Sequence, residues 1–100
     1  MNGSSALPSP ASRIEVVLYE GAGCGLCARA LEVLESEAGR LGFDLRRVAI
    51  DGDEELERRY RIDLPVIVID GEEAFVHAVS AASLQRAVAR AQARHREPGS

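Results

Sequence analysis

One hundred residues bound this protein to one small domain, and a chain of that size buries roughly 60–65% of its unfolded surface around a single core. With 46% hydrophobic and 28% charged residues the composition is that of a soluble globular protein, yet aromatics stand at 4% and Trp is absent, so Ala, Val, Leu and Ile must build the core. A formal charge of −4 with no basic stripe carrying interleaved aromatics excludes an ordinary nucleic-acid binder, and no apolar run approaches the ~20 residues of a membrane helix.

The first twelve residues, "MNGSSALPSPAS", carry no charge and are built from Ser, Ala, Pro and Gly with little else. They read as a disordered tail, with neither the basic nor the apolar segment of a secretory leader. The domain is expected over 13–96, with 97–100 as a second tail. "RIEVVLYE" (13–20) is a short β-branched run closed by Gly21 and reads as a buried strand. "CGLCARALEVLESEAGRLG" follows with Cys27, Leu31, Leu34, Ala38 and Leu41 at helical spacing, and Gly42 or Gly39 closes that helix. "FDLRRVAID" (43–51) reads as a second strand whose alternation slips at Arg46–Arg47. Asp51 or Asp53 then caps a short helix, "DEELERRYRI", anchored through Leu56 and Tyr60; Asp51 with Glu54 has capping-box spacing. "PVIVID" (65–70) is a third strand opened by Pro65, and "DGEE" a tight turn into a fourth, "EAFVHA". Ser80 caps a last helix over 81–95, with Val79 and Leu84 placed as a hydrophobic staple.

The order is thus βαβαββα. A helical crossover makes the first two strands parallel, and the hairpin makes the last two antiparallel. The expected fold class is α/β, a mixed four-stranded sheet with helices on both faces.

Cys24 and Cys27 are the only cysteines. In a chain without a leader they imply a reducing, cytoplasmic setting, where a close pair is catalytic or metal-binding rather than a permanent staple. Cys24 falls where the first strand meets the first helix. Unpaired N–H groups and the positive end of the helix dipole favour thiolate there. Residues three apart on a helix have Cβ atoms ~5–6 Å apart, close enough to adjust to a disulfide. A thiol of ordinary pKa ~8.5 is only about 3% thiolate at pH 7. Shifting such an equilibrium by two units takes about 2.7 kcal/mol. A dipole supplies ~0.3–1 kcal/mol, so a direct N–H bond, with Cys27 as donor, must add to it. In the cycle this suggests, Cys24 attacks a disulfide and Cys27 resolves the mixed disulfide.

Three features together carry a resemblance: the element order, Cys-x-x-Cys opening the first helix, and "YRIDLPVIVIDGEEAF" some forty residues later. Over residues 13–92 the chain resembles the thioredoxin fold, and within it the small bacterial glutaredoxin-like proteins. The resemblance implies a dithiol–disulfide oxidoreductase with Cys24 and Cys27 as its redox pair. It also implies a cis Pro65 packed beside the pair, and a substrate segment paired at Leu64, with Gly23 and Leu26 adding to the contact surface. No bound cofactor or metal is implied beyond the redox-active disulfide. The partners are a disulfide-containing protein or small molecule and a reductase or low-molecular-weight thiol, with no nucleic acid or membrane, and the protein acts as a monomer. Glutathione use does not carry over. The family's usual Lys three residues before the first cysteine is Gly21 here, and its Gly-Gly-acidic stretch is Phe75-Val76-His77-Ala78. Two alternatives stay open: a metal or iron–sulfur carrier using the same cysteines, and a redox-silent binding module using the groove at Leu64–Pro65. His77 and His95 read as exposed surface residues, and Tyr19 as core.

Overall fold

The computed structural model describes residues 13–96; the tails expected at 1–12 and 97–100 lie outside the described residues. In chain order the elements are β1 (Ile14–Glu20), α1 (Gly25–Leu41), β2 (Phe43–Ala49), α2 (Glu54–Tyr60), a 3-10 turn (Arg61–Asp63), β3 (Val66–Ile69), β4 (Glu72–Val76) and α3 (Ala81–Arg96). The four strands form one sheet in the order β2-β1-β3-β4. β1 runs parallel to β2, in register from Ile14 opposite Phe43 to Glu20 opposite Ala49, and antiparallel to β3. β3 and β4 form the hairpin, and the Asp70-Gly71 turn has φ of 55° and 86°, the positive pair a type I′ turn requires.

Period-2 alternation sends the two faces of the sheet to different cores. Ile14, Val16 and Leu18 of β1, with Ile67 and Ile69 of β3, pack against Ala30 and Leu34 of α1 and Leu84, Val88 and Ala91 of α3. On the other face Val66 packs with Ile50 and Tyr60, joined by the half-buried Tyr19, Leu56, Leu64 and Val68. Helices therefore cover both faces, α1 and α3 on one and α2 on the other, as expected of the α/β class.

Some local expectations change. Gly39 lies within α1, which ends at Leu41 with Gly42 as its cap; φ of 80° at Gly42 is the left-handed conformation that glycine occupies without strain, and its N–H bonds the Ala38 carbonyl. The buried face of α1 runs through Cys27, Ala30, Leu34 and Glu37, with Leu31, Ala38 and Leu41 flanking it half-buried. Glu37 is buried because it accepts from Arg40 and from Gln85 of α3. β2 is an edge strand, so Arg46 and Arg47 both reach solvent, and Arg47 pairs with Glu20 at 2.8 Å. The α2 cap is Asp53, which accepts from the N–H of Glu55 and of Leu56 at 3.1 Å; Asp51 does not cap. β3 begins one residue after Pro65, and β4 ends at Val76, before His77. Ser80 caps α3, accepting from Ser83 N–H at 3.1 Å, while Ser83 Oγ answers the Ser80 N–H as Glu does in a capping box.

Candidate active site

The site forms where β1 and β2 end side by side. Their parallel register brings the segment after Glu20 next to the segment after Ala49. Ile50 N–H donates to the Glu20 carbonyl at 2.9 Å, and Ala22 N–H donates to Asp51 Oδ2 at 2.9 Å. Gly23 follows at φ 72°, and Cys24 is the N-cap of α1. α1 leaves this point on one face of the sheet and α2 on the other. In open α/β sheets a crevice for ligands opens at such a divergence.

Cys24 and Cys27 form a disulfide with Cα atoms 5.2 Å apart. Their environments differ. Cys24 is partly exposed, whereas Cys27 is 2% exposed beneath it. The Cys27 N–H donates to Cys24 Sγ at 3.1 Å, so an unpaired donor of the first helical turn is aimed at the outer sulfur. Leu26, between the cysteines, is 47% exposed and stands as an apolar rim.

A cavity of about 340 Å³ opens beside Cys24, lined among others by Ala22, Asp51, Glu57, Arg61 and Leu64. The Leu64–Pro65 peptide bond is cis. Pro65 itself is fully buried, so Leu64 is the side chain this segment turns toward the cavity. A Cβ added to Gly21 would stand 2.8 Å from Leu64 Cδ1, so any side chain there would push the end of the Leu64 side chain aside. The Leu64–Pro65 segment is held from the other side as well. His77, at φ 72°, donates its backbone N–H to the Pro65 carbonyl at 2.9 Å, and its Nε2 lies 3.2 Å from the Ile62 carbonyl. Val76 and Ile62 next to it are 43% and 85% exposed. Beneath the site Tyr19 stacks on Tyr60, ring centroids 4.4 Å apart, and burial pushes the Tyr60 phenol up.

The structure thus brings together Gly23, Cys24, Leu26, Cys27, Leu64 and Pro65 at one end of the sheet. Tyr19 belongs to the smaller core. His95 is at the far end of α3, with Nε2 3.0 Å from Asp70. Sequence reading missed Asp51, Glu57 and Arg61 as lining residues. The available signal was that Asp51 directly follows a strand expected to run parallel to the one that ends before Cys24. Among the described residues no group of three or more His, Cys, Asp or Glu side chains is arranged to hold a metal ion.

A four-stranded mixed sheet between α1–α3 and α2, with a Cys-x-x-Cys pair at the start of α1, defines a thioredoxin-fold protein. Residues 15–89 match the Glutaredoxin-like domain (DUF836), and the chain belongs to that family. Curated relatives include uncharacterized proteins of Mycobacterium tuberculosis and Mycobacterium bovis, each 36% identical over 67 residues, 62% of this chain and 69% of theirs. Among solved structures, a structural-genomics target protein from X. campestris is 29% identical over 75% of this chain and 96% of its own, with a TM-score of 0.65. Chloroplastic thioredoxin z shares the fold at 22% identity and a TM-score of 0.68, covering 93% of this chain and 92% of its own.

Proposed function

We propose that the protein is a dithiol–disulfide oxidoreductase in which Cys24 attacks and Cys27 resolves. The observation that carries this reading is the asymmetry of the pair: a reachable sulfur at a helix N-cap, receiving a backbone N–H, above a buried sulfur already within bonding reach. In the dithiol state the same N–H and the helix dipole favour Cys24 as thiolate. That thiolate attacks a substrate disulfide, a Cys24–substrate bond forms and one substrate thiolate leaves. Cys27 then attacks Cys24 Sγ, the second substrate thiolate leaves, and the intramolecular disulfide returns. Leu64, Leu26 and Gly23 form the contact face, with Pro65 fixing the backbone at Leu64. The proposed partners are disulfide-bearing proteins or small molecules, and a reductase or a low-molecular-weight thiol as reductant, the protein working as a cytoplasmic monomer. Glutathione is expected to serve poorly, because no cation stands at Gly21 and the stretch Phe75-Val76-His77-Ala78 holds neither a glycine pair nor an acidic residue.

The test is trapping. Reduced Cys27→Ser protein, incubated with a protein disulfide, should accumulate a mixed disulfide mapped by mass spectrometry to Cys24, whereas Cys24→Ser should accumulate none. A mixed disulfide through Cys27 in the Cys24→Ser protein, with none through Cys24 in the other variant, would reverse the roles. Absence from both would defeat the reading.

A further inference from the structure

The cavity beside Cys24 has a charge of its own. Three charged side chains line it: Asp51, Glu57 and Arg61. Arg61 Nη2 lies 3.4 Å from Glu57 Oε1, so those two largely offset each other. Asp51 is different. Its Oδ2 accepts the Ala22 N–H, which fixes the carboxylate on the rim of the opening that also exposes Cys24. Among the described residues it takes part in no ion pair. Its oxygens stand 3.9 and 4.0 Å from where a Gly21 Cβ would be, and that position cannot carry a cation without displacing Leu64.

We propose that Asp51 is a specificity-determining residue that makes this cavity favour cationic and neutral thiols over anionic ones. The inference rests on the oxidoreductase reading. Recharging the protein with a small thiol runs in two steps. A thiolate RS⁻ attacks Cys24 Sγ; an R–S–Sγ bond forms, the Cys24–Cys27 bond breaks, and its electron pair leaves on Cys27 Sγ, which takes a proton from solvent. A second RS⁻ attacks the R sulfur, RSSR departs, and Cys24 is left as thiolate. Two thiols are oxidised and the protein gains two electrons. In both steps R occupies the space beside Cys24, within reach of the Asp51 field. A charge on R about 6 Å from a carboxylate changes the rate about threefold in a water-like medium, and salt above ~0.1 M weakens the effect.

The experiment follows reduction of the oxidised protein by cysteamine, 2-mercaptoethanol and 3-mercaptopropionate, by acid quench, alkylation and mass shift, with each rate expressed per thiolate. Asp51→Asn keeps an oxygen for the Ala22 N–H and removes the charge. Any change in the leaving-group or electrophilic character of the disulfide then cancels in the cysteamine-to-mercaptopropionate ratio. That ratio should fall at least threefold in Asp51→Asn at low salt, fall in wild type on adding 0.5 M salt, and stay at the wild-type value in Glu72→Gln, an equal charge change at the hairpin. An unchanged ratio in Asp51→Asn, with all three thiols still reducing the protein, overturns the inference and leaves the oxidoreductase reading standing. Reduction by none of the three, alongside failed trapping through Cys24, overturns both.

Discussion

At Gly21 the backbone runs so close to Leu64 that even a methyl group would press on its Cδ1. The same glycine that removes a cation from the cysteine approach therefore also seats Leu64 beside the pair. Tyr60 shows a second use of packing at this scale. Its ring is buried under Tyr19, and desolvation raises the phenol above its ordinary range, with the Arg59 guanidinium 5.3 Å from the ring centre pulling the other way. A folded-state pKa above the unfolded one means stability fully present below the ordinary tyrosine range and lost as pH rises through the folded value. Urea denaturation between pH 8 and 11 should accordingly show wild type losing stability above about pH 10 more steeply than Tyr60→Phe, which keeps the stack and has no proton to lose. Equal slopes would mean that the buried phenol carries no linkage.

Two aspartates two residues apart serve different elements. Asp53 satisfies two N–H groups at the start of α2, and Asp51 satisfies one in the loop before Cys24. Asp53→Ala should cost about 1 kcal/mol of unfolding free energy, as loss of a helix cap does, read from the urea midpoint by far-UV circular dichroism. A cost near zero would show that the Gly52–Glu57 bond at 2.9 Å, which also closes this turn, suffices alone. What was legible in the sequence divides along the same line. Gly42, Ser80 and the Asp-Gly turn act through neighbours a few residues away, and their elements end where the residues imply. Besides Arg40 in its own helix, Glu37 has Gln85, 48 positions on, as a partner, and Gln92 of α3 donates to the carbonyl of Leu41, 51 positions back. No periodicity within α1 contains the α3 contacts, so the apolar spacing selects Leu31 and Ala38 where Ala30 and Glu37 are the buried residues. The Arg46–Arg47 phase slip likewise resolves only once β2 is known to be an edge. The cysteine pair was legible as a local motif, whereas the Leu64–Pro65 segment read locally as no more than the opening of a strand and entered the site through the family resemblance. Asp51 entered the site through strand pairing and looked, locally, like a cap.

The whole molecule is a sheet between two unequal cores. Against α1 and α3 lies the large one, with Ile14, Val16, Leu18, Leu34, Ile67 and Leu84 fully or almost fully buried; against α2 lies a small one centred on Ile50, Tyr60 and Val66. The redox pair is carried by α1, whose Ala30 and Leu34 belong to the large core, while Leu64 and Ile50 of the cavity wall belong to the small one. This predicts a separation of stability from substrate contact. Leu84→Ala leaves a cavity in a closely packed layer and should cost roughly 3 kcal/mol, within the 2–5 kcal/mol range for such truncations. For a domain of this size that lowers Tm by on the order of 15 °C, yet it should leave the rate of Cys24 alkylation in the folded, reduced protein within about twofold of wild type. Leu56 is only half-buried, so Leu56→Ala should cost less, about 1–2 kcal/mol by area. It loosens the layer that seats Leu64, and KM for a protein disulfide should rise severalfold with kcat kept. Thermal melts joined to steady-state kinetics on both variants decide the matter. If Leu84→Ala raised KM as much as Leu56→Ala at a temperature where both are folded, the two cores would not divide the work in this way, and the sheet would transmit strain to the contact face from either side.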